Sequence, residues 1–233
     1  RILGEGQLSL TKFLLVLDRR CDLKDFRRVL AEVLRRADFR TDLYVFANLS
    51  MDSLDYAGPR INEGSKGILL GVGEPIRDLP ETFSGDLPPG TTEARVFSPG
   101  CLVLHGPPCP RDLRPGQAAP DVAPILAHRS LDAWPLVVIT DDAARAARSE
   151  FNFLWTTFTR FEPAADLHGR AVTLERHHPS FTPPVAIDAR MKPFYPRELF
   201  CDDETAATVT RRWREYFPGG RVEMGDSGRA HLD

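Results

Sequence analysis

The chain has 233 residues, 42% hydrophobic and 27% charged, a balance that allows a real core and excludes intrinsic disorder. Its 30 basic and 33 acidic side chains leave a formal charge of −3, without the cation excess that nucleic-acid binding draws on. Its longest apolar run, Phe13 to Leu17, falls far short of the roughly 20 residues that cross a bilayer, so neither nucleic acid nor a membrane span is expected. Cys21, Cys101, Cys109 and Cys201 are too scattered for a disulfide scaffold or a zinc knuckle, which points to a reducing, cytoplasmic compartment. The 20 prolines, about 9% against a background of about 5%, imply extended loops and few long helices. The chain opens on Arg1 with no signal-like segment and reads as a piece of something longer.

In chain order, Lys12 to Asp18 (KFLLVLD) has the continuous apolar character of a strand buried on both faces. From Asp22 to Arg36 the period changes. Phe26, Val29, Leu30, Val33 and Leu34 form the apolar stripe of a helix, with Asp22 as N-cap and Arg27, Arg28, Arg35 and Arg36 on a solvated outer face. Leu43 to Ala47 is a second strand, and the three elements predict a strand-helix-strand unit with a right-handed crossover, the start of a parallel sheet. The Gly- and Pro-dense stretch from Gly71 to Gln117 holds two strand-like pieces, Ala94 to Phe97 and Cys101 to His105, whose alternation around SPG suggests a hairpin or paired edge strands. So long an irregular stretch in a compact domain is usually functional or wraps a partner. Leu136 to Thr140 is a buried strand, followed by an alanine-rich helix capped by Asp141 or Asp142. The aromatic and β-branched content from Trp155 to Arg160 favours strand. Ala171 to Arg176 and Val185 to Asp188 are further strands, and Asp202 or Asp203 caps a last helix through Tyr216. The fold class is α/β, a mainly parallel or mixed sheet with helices packed on it, as a single domain over 1–217 with a mobile tail over 218–233. Phe13 to Leu17 and Leu136 to Ile139 are expected as central strands.

Few motifs carry chemistry. Gly67, Gly71 and Gly73 lack the spacing and the following helix of a dinucleotide loop. Adjacent His177 and His178 point to opposite faces of a strand and cannot chelate one metal. No serine sits in a nucleophile elbow. Gly64-Ser65-Lys66-Gly67 reads as a turn whose amides could approach an anion. Asp52 and Asp55 follow the second strand, at the carboxyl-end edge where open α/β sheets meet ligands, although acids this close are commonly turn-formers. Phe194, Tyr195 and Phe200 stand outside any helical or strand period and suggest anchors for self-association.

Taken together, GEGQLSLTKFLLVLD, DLYVFANLSMDSLDYAGPRINEGSKG, FLWTTFTRFEPAADLH and IDARMKPFYPRELF resemble the C-terminal region of the UbiD-type carboxy-lyases, from about Gly4 to Phe217. The resemblance implies non-oxidative decarboxylation of an aromatic or α,β-unsaturated carboxylic acid through prenylated FMN. It also implies that the flavin-binding N-terminal domain, the acid-base trio, the divalent metal (Mn or Mg) and the monovalent cation (K) lie upstream of this chain. No catalytic or metal-binding residue is carried over. By motif matching, Leu10, Thr11 and Phe13 fall on the substrate wall, with Leu10 where some relatives have tyrosine. Met51, Ser53, Leu54 and Asp55 fall in a mobile substrate loop, and Gln7 near the cofactor. The expected partners are the upstream flavin domain, further copies of the protein and the small-molecule acid, and the isolated chain is expected to be inactive. The alternative is a stand-alone assembly module without catalytic activity.

Overall fold

Local signals set the element order in the computed structural model, which describes residues 2–197, 201–220 and 222. Two compact units are present, Arg1–Tyr195 and Pro196–Asp233. The first opens with two short 3-10 turns, Ile2–Gly4 and Gly6–Leu10, then β1 (Phe13–Leu17) and α1 (Phe26–Leu34). Asp25, not Asp22, caps α1 by accepting from Arg28 N at 2.9 Å, an interaction worth about 1 kcal/mol. Asp22 instead accepts from Lys24 N in the preceding turn. Val29, Leu30, Val33 and Leu34 are buried, as the stripe requires. Two of the four arginines leave the solvated face. Arg27 lies over the Phe97 ring and donates to the carbonyls of Phe97 and Ala147, and buried Arg36 donates to Glu32 and Gly73 O.

β2 (Leu43–Ser50) and β3 (Glu63–Gly71) complete a three-stranded sheet in the order β1-β3-β2. Here the structure corrects the sequence pattern. β2 runs antiparallel to β3 and does not touch β1, so no parallel crossover forms. β1 is an edge strand rather than a central one. Its neighbour β3 comes from the glycine-rich GSKGILLG segment, with its first four residues, Gly64 to Gly67, expected as a turn. The glycines belong to the strand because neighbours press directly on it: a Cβ on Gly67 would lie 2.3 Å from the Phe13 ring, and one on Gly71 2.5 Å from Val33 Cα.

Next come β4 (Glu93–Ser98) and β5 (Cys101–His105), the expected hairpin, turning at Gly100 with φ 77°. They are followed by α2 (Val122–Leu126), β6 (Leu136–Thr140), α3 (Ala143–Arg148), α4 (Glu150–Thr159), α5 (Pro163–Asp166), β7 (Leu167–Glu175) and β8 (His178–Asp188). The five strands form a mixed sheet in the order β4-β5-β6-β8-β7, with β5, β6 and β8 parallel and antiparallel strands at both edges. Asp142 caps α3. Trp155 lies in a helix, not a strand, because Ser149 caps α4 and Phe153, Thr156 and Thr157 reach the core at helical spacing. His177 is in a tight turn rather than a strand: it and Arg176 have φ of 66° and 52° and join β7 to β8.

β6 lies at the centre of this sheet. Leu136 and Val138 enter one apolar cluster with Leu34, Phe39, Leu69 and Phe153, while Val137 and Ile139 enter a second with Leu104, Ile125, Leu131 and Trp134. Burial on both faces explains why LVVIT shows no alternation. In the second unit α6 (Asp203–Tyr216) is capped by Asp202, whose carboxylate accepts from Thr205 N at 2.8 Å, and Trp213 Nε1 donates to Val222 O. Residues 221 and 223–233 of the expected mobile tail, and Phe200, lie outside the described residues. Among the described residues no helix is long and apolar enough to cross a membrane.

Gly71→Ala should lower the unfolding free energy by about 1–3 kcal/mol, the usual cost of overpacking, because the colliding atom is main chain. The shift of the urea midpoint measures it.

Candidate functional site

The segment before β1 and the loop after β2 meet at the amino-terminal edge of β1 and β3. Three contacts fix that edge. Lys12 Nζ donates to Asp55 Oδ1 at 2.8 Å and to Phe161 O at 3.1 Å, with the two ion-paired side chains nearly nine-tenths buried. Lys66, inside β3, donates to the carbonyls of Leu3 and Ser9. Ser65 Oγ accepts from Ala164 N at 2.8 Å, seating α5 against β3. The loop is ordered by its own chemistry as well. Asp52 accepts from Leu54 N at 2.8 Å, Asp55 Oδ1 from Ala57 N, and Met51 N donates to the carbonyl of Asn62, whose φ of 62° turns the chain into β3.

A buried polar layer lies behind this edge. Lys192 contacts Asp166 at 3.2 Å and donates to the carbonyls of Arg160 and Asp188, and Tyr195 Oη donates to Arg160 O at 3.2 Å. Arg190, fully buried, bridges Asp188 and Asp121 at 2.7–3.0 Å. Burial alone would raise the Asp188 carboxyl, but hydrogen bonds from Arg190 and the nearby Lys192 charge hold it below the ordinary range. Asp166 goes the other way: loss of solvent pushes it up to about 7, opposed by Lys192 and by its bond from Glu162 N. Desolvation also raises Glu162, against a hydrogen bond from Ser65 and the Lys12 charge.

Of the residues expected at the site, Leu10 and Met51 share one cleft of about 360 Å³ with Leu3, Ser9, Asp52 and Lys66. Asp55 ties the loop to Lys12, and Leu54, 84% exposed, stands at the loop tip beside exposed Ser53. Thr11 closes the second 3-10 turn through its N–H to Leu8 O, and Gln7 lies exposed on that turn. Phe13 faces elsewhere, packing its ring 5.9 and 5.8 Å from Phe158 and Phe161 in a separate groove of about 270 Å³. The loop leaves the carboxyl end of β2, but antiparallel pairing puts that end beside the amino ends of β1 and β3, so the parallel-sheet rationale for its position does not apply. Two of the proposed association anchors are internal: Tyr195 is buried and Phe194 packs on the second apolar cluster. Sequence reasoning passed over Lys12, Glu162, Asp166 and Lys192, whose only signal was a charge within or beside an otherwise apolar segment.

The model of the 3-octaprenyl-4-hydroxybenzoate carboxy-lyase C-terminal domain, UbiD_C, matches residues 1–71. Over those residues the chain is similar to the C-terminal domain of the UbiD-type carboxy-lyases. An uncharacterized protein of Chlamydia caviae is 44% identical over 218 residues, covering 94% of this chain and 36% of the relative. A protein of Chlamydia pneumoniae, named as one of the subunits of a 4-hydroxybenzoate decarboxylase, is 43% identical over the same shares of the two chains. An Aeropyrum pernix protein is 37% identical over 84 residues, 36% of this chain and 16% of its own length. The chain thus spans about a third of the length of the chlamydial proteins it matches.

The raised Asp166 carboxyl has a defined effect on stability. A group protonated more readily when folded binds extra protons between its unfolded value of 3.8 and its folded value of about 7, so its contribution falls as pH rises through that window. Relative to Asp166→Asn, wild type should lose stability between those pH values, read from urea midpoints across the range.

Proposed function

We propose that this chain is the C-terminal, substrate-facing part of a cytoplasmic, non-oxidative decarboxylase that uses prenylated FMN on an aromatic or α,β-unsaturated carboxylic acid. The observation that carries the reading is the 2.8 Å Lys12–Asp55 ion pair, which fastens the SLTKF segment to the Met51–Asp55 loop. These are the two stretches that resemble the family's substrate wall. The name of the Chlamydia pneumoniae relative supports the reaction class and makes 4-hydroxybenzoate the first acid to try; because that name describes one part of a larger enzyme, it also supports a multi-chain assembly.

On this reading Leu10 and Met51 give the cleft an apolar shape, Thr11 borders it, and Ser53 and Leu54 reach the substrate from the loop. Phe13 acts from behind by packing β1 on the core, and Gln7 faces the cofactor from its exposed turn. Prenylated FMN, when bound, supplies an electron sink for the carbon that loses carbon dioxide. Lys12 and Lys66 are engaged within the chain, and among the described residues no group of three or more His, Cys, Asp or Glu side chains could hold a metal ion. On this proposal, as the family resemblance implies, the divalent metal and potassium belong to the upstream flavin domain, and this chain contributes orientation and exclusion of water. Self-association is proposed as well, supported by the open apolar hollow of about 530 Å³ on the outer face of the three-stranded sheet, lined by Leu14, Phe46 and Ile68.

Leu54→Ala in the full-length enzyme should shift discrimination between small and bulky acids by about 1–3 kcal/mol, the range for methylene-scale changes. An unchanged kcat/KM profile would remove the loop from substrate choice. This chain alone should neither retain prenylated FMN in a titration nor release carbon dioxide; stoichiometric binding would place the cofactor site within it.

A further inference from the structure

Lys66 is 3% exposed, whereas lysines are almost never fully buried unless their charge is paired. Its acceptors among the described residues are main-chain carbonyls, Leu3 O at 2.9 Å and Ser9 O. One lies in each of the two 3-10 turns that precede β1. Neither turn contains a buried residue, so apolar burial does little to hold this segment. The internal bonds, Ser9 Oγ to Gly6 O and Thr11 N to Leu8 O, shape the second turn without attaching it to the sheet. Lys66 reaches from β3 to both turns and lines the cleft that Leu3, Ser9, Leu10 and Met51 also line.

We infer that Lys66 is a positioning residue: its buried ammonium pins the Ile2–Leu10 segment to β3 and so sets where Leu10 stands at the cleft. A flexible stem ending in three tetrahedral donors suits two separate carbonyls. The charge strengthens each bond, since hydrogen bonds with one ionised partner are roughly twice as strong as neutral ones. Lys12 does the complementary task on the other side of the edge, where it holds the loop through Asp55. The inference rests on the reading of the cleft as a substrate wall only for its kinetic consequence; the attachment itself stands on the geometry.

The test compares Lys66→Met and Lys66→Arg in the full-length protein. Thermolysin cleavage before Leu8 and Leu10, both exposed, is followed by mass spectrometry, and amide exchange in β6 serves as the reference for global opening. Cleavage should rise at least tenfold in Lys66→Met and stay near wild type in Lys66→Arg, with exchange in β6 unchanged in both. Should Lys66→Met fail to fold, Lys66→Gln replaces it under the same criterion. Cleavage at the wild-type rate would overturn the inference, as would a rise matched by loss of protection in β6, which marks general destabilisation. In Lys66→Met the KM for 4-hydroxybenzoate should rise several-fold with kcat little changed, while Lys66→Arg should stay near wild type. A loosened segment with unaltered kinetics would leave the positioning role intact and sink the substrate-wall reading instead.

Discussion

Two consecutive main-chain carbonyls, those of Arg160 and Phe161, join the candidate site to the core. Phe161 O accepts from Lys12, which holds the loop through Asp55; Arg160 O accepts from Lys192 and from Tyr195. Carbonyls at the end of a helix have no intrahelical partners and must be satisfied elsewhere. Here the partners are side chains from two distant parts of the chain, Lys12 and the stretch from Lys192 to Tyr195, so the junction between α4 and α5 is held from both. Tyr56, next to Asp55, meets Tyr195 edge-on at 5.0 Å, which links the loop to the same junction a second time.

Behind that junction, charges are buried in groups rather than singly. Asp188, Arg190 and Asp121 form one set and Lys192 with Asp166 another, both at or beyond the carboxyl end of β8. A buried pair contributes little net stability because desolvation offsets attraction, but removing one member leaves an uncompensated charge. The arrangement therefore acts chiefly on geometry: few alternative packings of β8, α5 and the chain from Ala189 to Tyr195 would satisfy every group. The contrast between a lowered Asp188 and a raised Asp166, 22 positions apart in sequence, follows from the donors around each.

The three-stranded sheet depends on close approach. Gly64, Gly67 and Gly71 let Met51, the Phe13 ring and Val33 lie directly on β3, and a Cβ at any of them would sit within 2.8 Å of its neighbour. Lys66, on the face of β3 opposite Gly67 and Gly71, runs to the 3-10 turns, so a strand with weak β propensity becomes the platform of the site. Tertiary packing overrides propensity here.

Periodicity and caps made much of the secondary structure legible. The stripe of α1, the hairpin around Gly100, the continuous run of β6 and the capping acids Asp142 and Asp202 all act within a few residues of one another, where sequence alone specifies the physics. Leu10 and Met51, drawn from two separate matching blocks, line one cleft. Sequence could not tell that GSKGILLG is a strand, because its stability comes from Phe13 and Val33, 54 and 38 positions away from the Gly67 and Gly71 they cover. It could not give the direction of β2, since an antiparallel pairing with β3 and a parallel one with β1 ask for similar residues. Nor could it show that Trp155 is helical or that Arg176 and His177 make a turn, because the core and the β8 register impose both. The pairing of Lys12, Lys66 and Lys192 with their carbonyls and acids was decided by tertiary structure alone: a lysine's partner is whatever the folded chain brings within about 3 Å of its ammonium, and no local pattern encodes that.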